Sequence, residues 1–210
     1  MVKRAVDIVV GAVGLVLLSP LFAGIAVLVK MGSPGVAFYR GVRVGRYGKP
    51  FHMLKFRTLV VDAEQIGGSS TADDDPRVTR VGKLLRKYKL DELPQLINVL
   101  KGDMSLVGPR PEVPHYVQMF TDEEQAILSV RPGITDWATL WNPDEGAVLA
   151  GSADAEKAYM EKIRPTKLRL QLNYVRTQSF WGDIKILAWT VSAILLKVRP
   201  DVVAAQGQKG

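Results

Sequence analysis

The chain has 210 residues, a formal net charge of +7 and no cysteine. That length suits one domain with a sizeable core, and the missing thiols exclude disulfides and thiolate metal sites while remaining compatible with a reducing compartment. The basic excess admits nucleic acid, an anionic membrane face or a phosphorylated substrate as partner, and composition alone does not choose among them.

Behind Lys3 and Arg4 runs an apolar stretch, residues 5–29, whose only charge is Asp7. It is long enough to cross a bilayer as a helix and too long for the apolar part of a signal peptide, and no small-x-small cleavage pattern accompanies it. Asp7 lies one turn from Lys3 and Arg4, so pairing with them at the interface is expected. Two features argue against a simple span. Ser19 and Pro20 fall near its middle, where proline frees a carbonyl and kinks the helix while the serine hydroxyl helps satisfy the broken bonding. Basic residues also flank both ends, Lys3 and Arg4 before and Lys30, Arg40, Arg43, Arg46 and Lys49 after, a bias that keeps both ends cytoplasmic. A re-entrant helical hairpin over residues 1–31, broken at Ser19 and Pro20, satisfies both observations; a kinked spanning helix is the alternative.

Residues 32–35, GSPG, make a turn. FHMLKFRTL then reads as a strand by alternation, with Leu54 and Phe56 on one face and Lys55 and Arg57 on the other. A short helix is expected at residues 61–64, followed by a mobile loop over 67–71. Asp73, Asp74 and Asp75 invite a metal reading, but no downstream spacing matches an EF-hand, which favours a solvated loop capping the next helix. In that helix Val78, Val81, Leu84, Leu85 and Tyr88 form an apolar stripe among Arg77, Arg80, Lys83, Arg86 and Lys87, a pattern able to lie on an anionic membrane.

The stripe ends at two adjacent acids, Asp91 and Glu92. Pro94 is tolerated only in a helix's first turn, so a helix is expected to begin near Asp91. The plain reading is that Asp91 caps it and Glu92 answers its dipole. The basic surroundings offer another: Arg86, Lys87 and Lys89 precede the acids, and Arg110 is braced between Pro109 and Pro111. Such cations hold phosphate oxygens while one carboxylate attacks phosphorus and the other binds a metal. Leu93, Leu96, Ile97 and Leu100 are expected on the buried side of this helix, which Lys101 and Gly102 end. Glu112 and His115 are further polar candidates, Thr121 and Glu124 form a capping box, and residues 154–163, 167–176 and 184–198 read as helical. The terminal QGQKG is expected to be disordered.

KLDELPQLINVLKGDMSLVGPRPE resembles the signature of the bacterial sugar transferases, specifically the small monotopic phosphoglycosyl transferases. LKFRT, DPRVTRVGKLLRK and RPGIT match in the same order. The resemblance implies an α/β, mainly helical, monotopic membrane protein: a re-entrant helical hairpin over residues 1–31 and amphipathic interfacial helices around a small catalytic domain, residues 32–200, before a disordered tail, 201–210. It implies transfer of a sugar 1-phosphate from a UDP-sugar to polyprenol (undecaprenyl) phosphate at the cytoplasmic face of the bacterial inner membrane, with release of UMP; nucleic acid is not an expected partner. Asp91 would form a covalent phosphosugar intermediate, Glu92 would help bind Mg²⁺, and Lys55, Arg86 and Arg110 would hold phosphate. The other readings are a non-catalytic basic protein of the membrane surface and a glycosyltransferase that releases UDP. Three positions depart from the family's usual wording: Asp136 stands for a glycine, Thr139 for a glutamine and Gln171 for an aspartate. The sugar, the pathway and the oligomeric state do not follow from these motifs.

Overall fold

The computed structural model describes residues 2–66 and 71–203. Helix α1 (Val2–Gly32) is continuous through Pro20. The expected interruption at Ser19 and Pro20 is absent from its bonding, for a local reason: Pro20 has no N–H for the carbonyl four residues back, and the Ser19 hydroxyl donates to that Val16 carbonyl at 2.8 Å.

Both ends of α1 rest on one folded body. Near the start, Lys3 Nζ donates to the Val107 carbonyl at 2.8 Å and to Asp183 at 2.5 Å. Arg4 donates to the Val99 and Leu100 carbonyls in the last turn of helix α4 (Gln95–Lys101), where carbonyls run short of intrahelical partners. Asp7 does not pair with Lys3 or Arg4 as expected; it is buried and accepts from the Ser105 hydroxyl at 3.1 Å and the Leu106 N–H at 3.0 Å. Near the far end, Ile25 and Val29 are buried with Phe56 and Leu85. Between these anchors Val13, Val16 and Leu17 are exposed.

Strands β1 (Phe38–Val44) and β2 (Pro50–Phe56) form an antiparallel hairpin in which Lys55 faces Tyr39. Arg57 leaves it to clasp the carbonyls of Ser33, at 2.9 Å, and Pro34, which fixes the turn after α1. Helix α2 (Ala63–Ile66) is a single turn, close to the expected short helix, and most of the expected mobile loop lies outside the described residues. Helix α3 (Arg80–Lys87) is capped by Thr79, whose hydroxyl accepts from the Gly82 N–H at 2.9 Å. The aspartates before it have other work: Asp75 chelates Arg77, and Asp74 accepts from the Gly151 N–H. The apolar stripe divides, with Leu85 buried and Leu84 and Tyr88 exposed.

In α4 the apolar and buried faces do not coincide. Leu96 and Leu100 pack toward Gly11 and Gly14 of α1, while Gln95, Asn98 and Val99 turn inward. Asn98 ties α4 to β2: its amide nitrogen donates to the His52 carbonyl at 2.8 Å and its oxygen accepts from the Leu54 N–H at 2.9 Å. Gly102, at φ 91°, ends the helix in a left-handed residue.

Strand β3 (Ser105–Val107) then pairs in parallel with β4 (Gly133–Thr135). A β-carbon at Gly133 would overlap the Gly108 backbone, so only glycine fits the centre of RPGIT. Between the strands lie α5 (Pro114–Val117) and a 3₁₀ segment, Glu124–Ser129. Both bonds of the expected capping box form there between Thr121 and Glu124. Helices α6 (Trp137–Trp141), α7 (Glu145–Leu149), α8 (Ala155–Ala158), α9 (Arg164–Thr177) and α10 (Phe180–Leu195) complete the chain. Pro165 sits in the first turn of α9, where its missing N–H costs nothing.

The main core joins Met53, Val99, Met104, Leu140, Leu170, Tyr174 and Ile186. Val202 is buried in it, so the expected disordered tail does not begin at residue 201; QGQKG itself lies outside the described residues. Apolar side chains on α10 stay uncovered, among them Trp181, Val191 and Leu195.

Candidate active site

The route into the site is set by a close crossing. Gly82 of α3 rests on the Thr58 backbone, where a β-carbon would collide. One turn later Arg86 Nε donates to the Thr58 hydroxyl at 3.1 Å, so the end of LKFRT holds that arginine in place. Lys89 then adopts a left-handed conformation, φ 55°, and reverses the chain into a 3₁₀ turn, Leu90–Glu92. Leu90 and Leu93 pack against the cluster of Ile25, Val29 and Phe56, which pins the turn to the end of α1.

This geometry excludes the capping reading. Helix α4 starts at Gln95 with Pro94 at its cap, and neither acid caps its amides. Arg110 grips Glu92 with both terminal nitrogens: Nη1 donates to Oε2 at 2.9 Å and Nη2 to Oε1. Lys55 Nζ adds a bond to Glu92 Oε1 at 3.0 Å and stands 3.9 Å from Asp91 Oδ2. Asp91 is buried, and its Oδ1 has no hydrogen-bond donor among the described residues. The structure therefore gathers Lys55, Asp91, Glu92 and Arg110, with Arg86 beside Asp91 electrostatically.

The two acids differ in character. Burial pushes the Asp91 carboxyl above the ordinary range; Lys55, Arg86 and Lys89 oppose this, whereas Glu92 adds to it. Burial acts on Glu92 in the same direction, but the charges and hydrogen bonds of Arg110 and Lys55 outweigh it and hold that carboxyl well below its usual value. Arg86 is lowered by burial, against the pull of Asp91. Glu92 is thus a fixed anion that orders cations, and Asp91 is a poorly solvated carboxylate suited to attack an electrophile.

Among the described residues no three His, Cys, Asp or Glu side chains form a metal cluster. Mg²⁺ does not need one, since it commonly takes one or two carboxylates together with substrate phosphates. Glu92, whose Oε2 accepts from Arg110 alone among the described residues, fits that requirement as one such carboxylate.

Sequence reasoning missed a second layer. Lys167 is buried and bonds Glu112 at 2.7 Å, Glu145 at 3.0 Å and the Tyr159 hydroxyl at 3.3 Å. Glu145 is lowered: burial raises it, but Lys167, Arg110 and Lys55 prevail, which places it in the field of the site. No local pattern announces Lys167, a lysine near the start of α9 in a polar stretch. Glu112 belongs to this layer, whereas His115 is exposed on α5 beside Tyr116.

An ion-paired glutamate and a desolvated aspartate ringed by cations make a site suited to binding phosphate and attacking phosphorus. The profile of the bacterial sugar transferases matches residues 1–197, and the chain belongs to that family. A UDP-N-acetylgalactosamine-undecaprenyl-phosphate N-acetylgalactosaminephosphotransferase of Aeromonas hydrophila is 40% identical over 197 residues, 92% of this chain and 44% of that protein. A UDP-glucose:undecaprenyl-phosphate glucose-1-phosphate transferase of Escherichia coli K12 is 39% identical over 196 residues, 91% of this chain and 39% of that protein. The exopolysaccharide production protein ExoY of Rhizobium meliloti is 35% identical over 211 residues, 93% of this chain and 86% of that protein. The chain thus spans less than half of the first two relatives and most of the third.

The raised pKa of Asp91 has a consequence for stability. A carboxyl whose folded pKa exceeds its unfolded value destabilises the fold once pH rises past the folded pKa, and does so no longer below the unfolded value, near 3.8. Asp91→Asn is therefore expected to raise Tm at pH 7 by on the order of 2–4 °C, a gain that fades as pH falls toward the ordinary carboxylate range. Calorimetry of both proteins across that range checks this; an equal or lower Tm for the variant at pH 7 contradicts it.

Proposed function

We propose that the chain transfers a sugar 1-phosphate from a UDP-sugar to polyprenol phosphate, undecaprenyl phosphate by analogy with the relatives' names, with release of UMP, and so starts a surface glycan. The observation that carries this reading is Asp91, buried with an oxygen that has no donor among the described residues, in the field of Lys55 and Arg86 and next to Glu92, which holds Arg110. In the first step an Asp91 oxygen attacks the phosphorus bearing the sugar. The bond from that phosphorus to the bridging oxygen breaks, and UMP leaves with the bond's electron pair. Asp91 then carries the sugar phosphate as an acyl phosphate.

In the second step a phosphate oxygen of the polyprenol carrier attacks the same phosphorus, the aspartyl bond breaks, and Asp91 returns as a carboxylate. Lys55 and Arg110, fixed by Glu92, hold the non-bridging oxygens and the charge that builds on them, and Arg86 adds to the same field. Mg²⁺, which Glu92 and the substrate phosphates would hold, would offset the charge on the diphosphate and on the leaving UMP.

A membrane location at the cytoplasmic face fits the same geometry. Helix α1 has 31 residues, about 45 Å, yet Lys3, Arg4 and Asp7 at one end and Ile25 and Val29 at the other contact the same body. A helix with its ends on opposite sides of a bilayer could not make both sets of contacts with one cytoplasmic domain. The uncovered apolar middle of α1, with Leu84 and Tyr88 of α3 and Trp181 of α10, would enter one leaflet, a monotopic arrangement that brings Asp91 to headgroup depth.

Incubation of the protein with UDP-glucose or UDP-N-acetylgalactosamine, undecaprenyl phosphate and Mg²⁺ is expected to release UMP, and Asp91→Asn and chelation by EDTA are each expected to abolish that release. Release of UDP would instead mark transfer of the sugar alone, and undiminished release from Asp91→Asn would remove Asp91 as nucleophile.

The natural lack of cysteine permits a clean topology test with Val2→Cys and Met31→Cys. Neither thiol should react with an impermeant maleimide added outside intact spheroplasts, and both should react once the membrane is opened. Labelling of one from outside would make α1 a span.

A further inference from the structure

Asp136, Thr139 and Gln171 lie together around the backbone of Arg110. Asp136 and Gln171 are both fully buried, and Thr139 sits on the turn that follows Asp136. Asp136 Oδ1 caps α6, accepting from the Thr139 N–H at 2.7 Å and its hydroxyl at 2.8 Å. Asp136 Oδ2 accepts from the Arg110 backbone N–H at 3.4 Å and from Gln171 Nε2 at 3.3 Å. Gln171 Nε2 also donates to the Arg110 carbonyl at 3.4 Å. Both backbone polar atoms of Arg110 are therefore held by this pair.

The orientation of Gln171 follows from its neighbours. Both groups it meets are acceptors, so its nitrogen faces them and its oxygen is left buried without a donor. The Arg110 side chain extends from this anchored backbone to Glu92, with Nη1 also donating to the Ile134 carbonyl at 3.1 Å. Pro109 and Pro111 restrict the chain on either side but contribute no N–H of their own.

We propose that Asp136 and Gln171, with Thr139 orienting the carboxylate, are positioning residues that aim the Arg110 guanidinium at the substrate phosphate. The proposal rests on the phosphoryl-transfer reading above.

Asp136→Asn tests it sharply. The asparagine amide must turn a donor toward either the Thr139 N–H or the Arg110 N–H, so one half of the hold is lost in either orientation. Gln171→Met removes the other grip without changing charge. Each is expected to lower kcat/KM for UMP release by about tenfold or more, because small errors in the aim of a phosphate-binding group are costly. The discriminating readout is the same pair of substitutions in an Arg110→Lys background, where the aimed group is already gone. There each is expected to cost less than about twofold further, since residues acting through one group are not additive.

Tenfold losses in both backgrounds would overturn the positioning role and leave only a contribution to folding. A parent that releases no UMP would instead defeat the reading on which the proposal rests, a result distinct from equal losses in the two backgrounds.

Discussion

The ion pairs that Glu92 makes with Arg110 and Lys55 are the constraint on which the rest of the site depends. They join three pieces of chain with no local relation: the end of β2, the 3₁₀ turn and the proline-braced segment after β3. A buried ion pair contributes little net stability once desolvation is counted, but removing one partner leaves an uncompensated charge that costs about 3–5 kcal/mol. The arrangement therefore specifies geometry more than it stabilises the fold. Its chemical effect falls on the neighbouring residue. Glu92 commits its own charge to Arg110 and Lys55, and Asp91 keeps a buried oxygen that no donor among the described residues reaches.

The supports of this cluster are hydrogen bonds made by side chains that a pattern analysis passes over. Asn98 fastens α4 to β2, Thr58 holds Arg86, and Asp136 with Gln171 holds the Arg110 backbone. Behind them Lys167 with Glu112 and Glu145 adds a second charged layer. Each of these groups is buried or half-buried and paired, as a site that handles charge away from bulk water requires.

Local signals survived well from sequence to structure. The alternating stretch at β2, the Thr121–Glu124 box, the glycine that ends α4 and the serine beside Pro20 all do what their chemistry suggests. Long-range choices were less legible. Asp7 has basic neighbours one turn away and bonds Ser105 and Leu106 instead, because α1 lies against β3. The leucines of α4 looked like its core face and turn toward α1, leaving Gln95 and Asn98 inside. Asp91 looked like a cap, but the left-handed Lys89 shifts the acids into a turn before the helix. The dyad, Lys55, Arg86 and Arg110 were nameable because motif order carries them. The Lys167–Glu112 bond and the contact between Asp136 and Gln171 depend on tertiary packing across 35 residues or more and leave no mark in any short window.

Leu90 and Leu93 flank the acids and pack on the cluster containing Ile25 and Val29, which ties the end of the apolar helix α1 to the turn that carries Asp91. The proposed function turns on Asp91 becoming a covalent carrier of sugar phosphate. Intact-mass and peptide mass spectrometry of the protein given its UDP-sugar donor and Mg²⁺, without the polyprenol acceptor, tests this most directly. The account predicts an added sugar phosphate localised to Asp91, lost when polyprenol phosphate is supplied and absent from Asp91→Asn. A protein that turns over normally yet never carries that mass, or carries it on another residue, contradicts it.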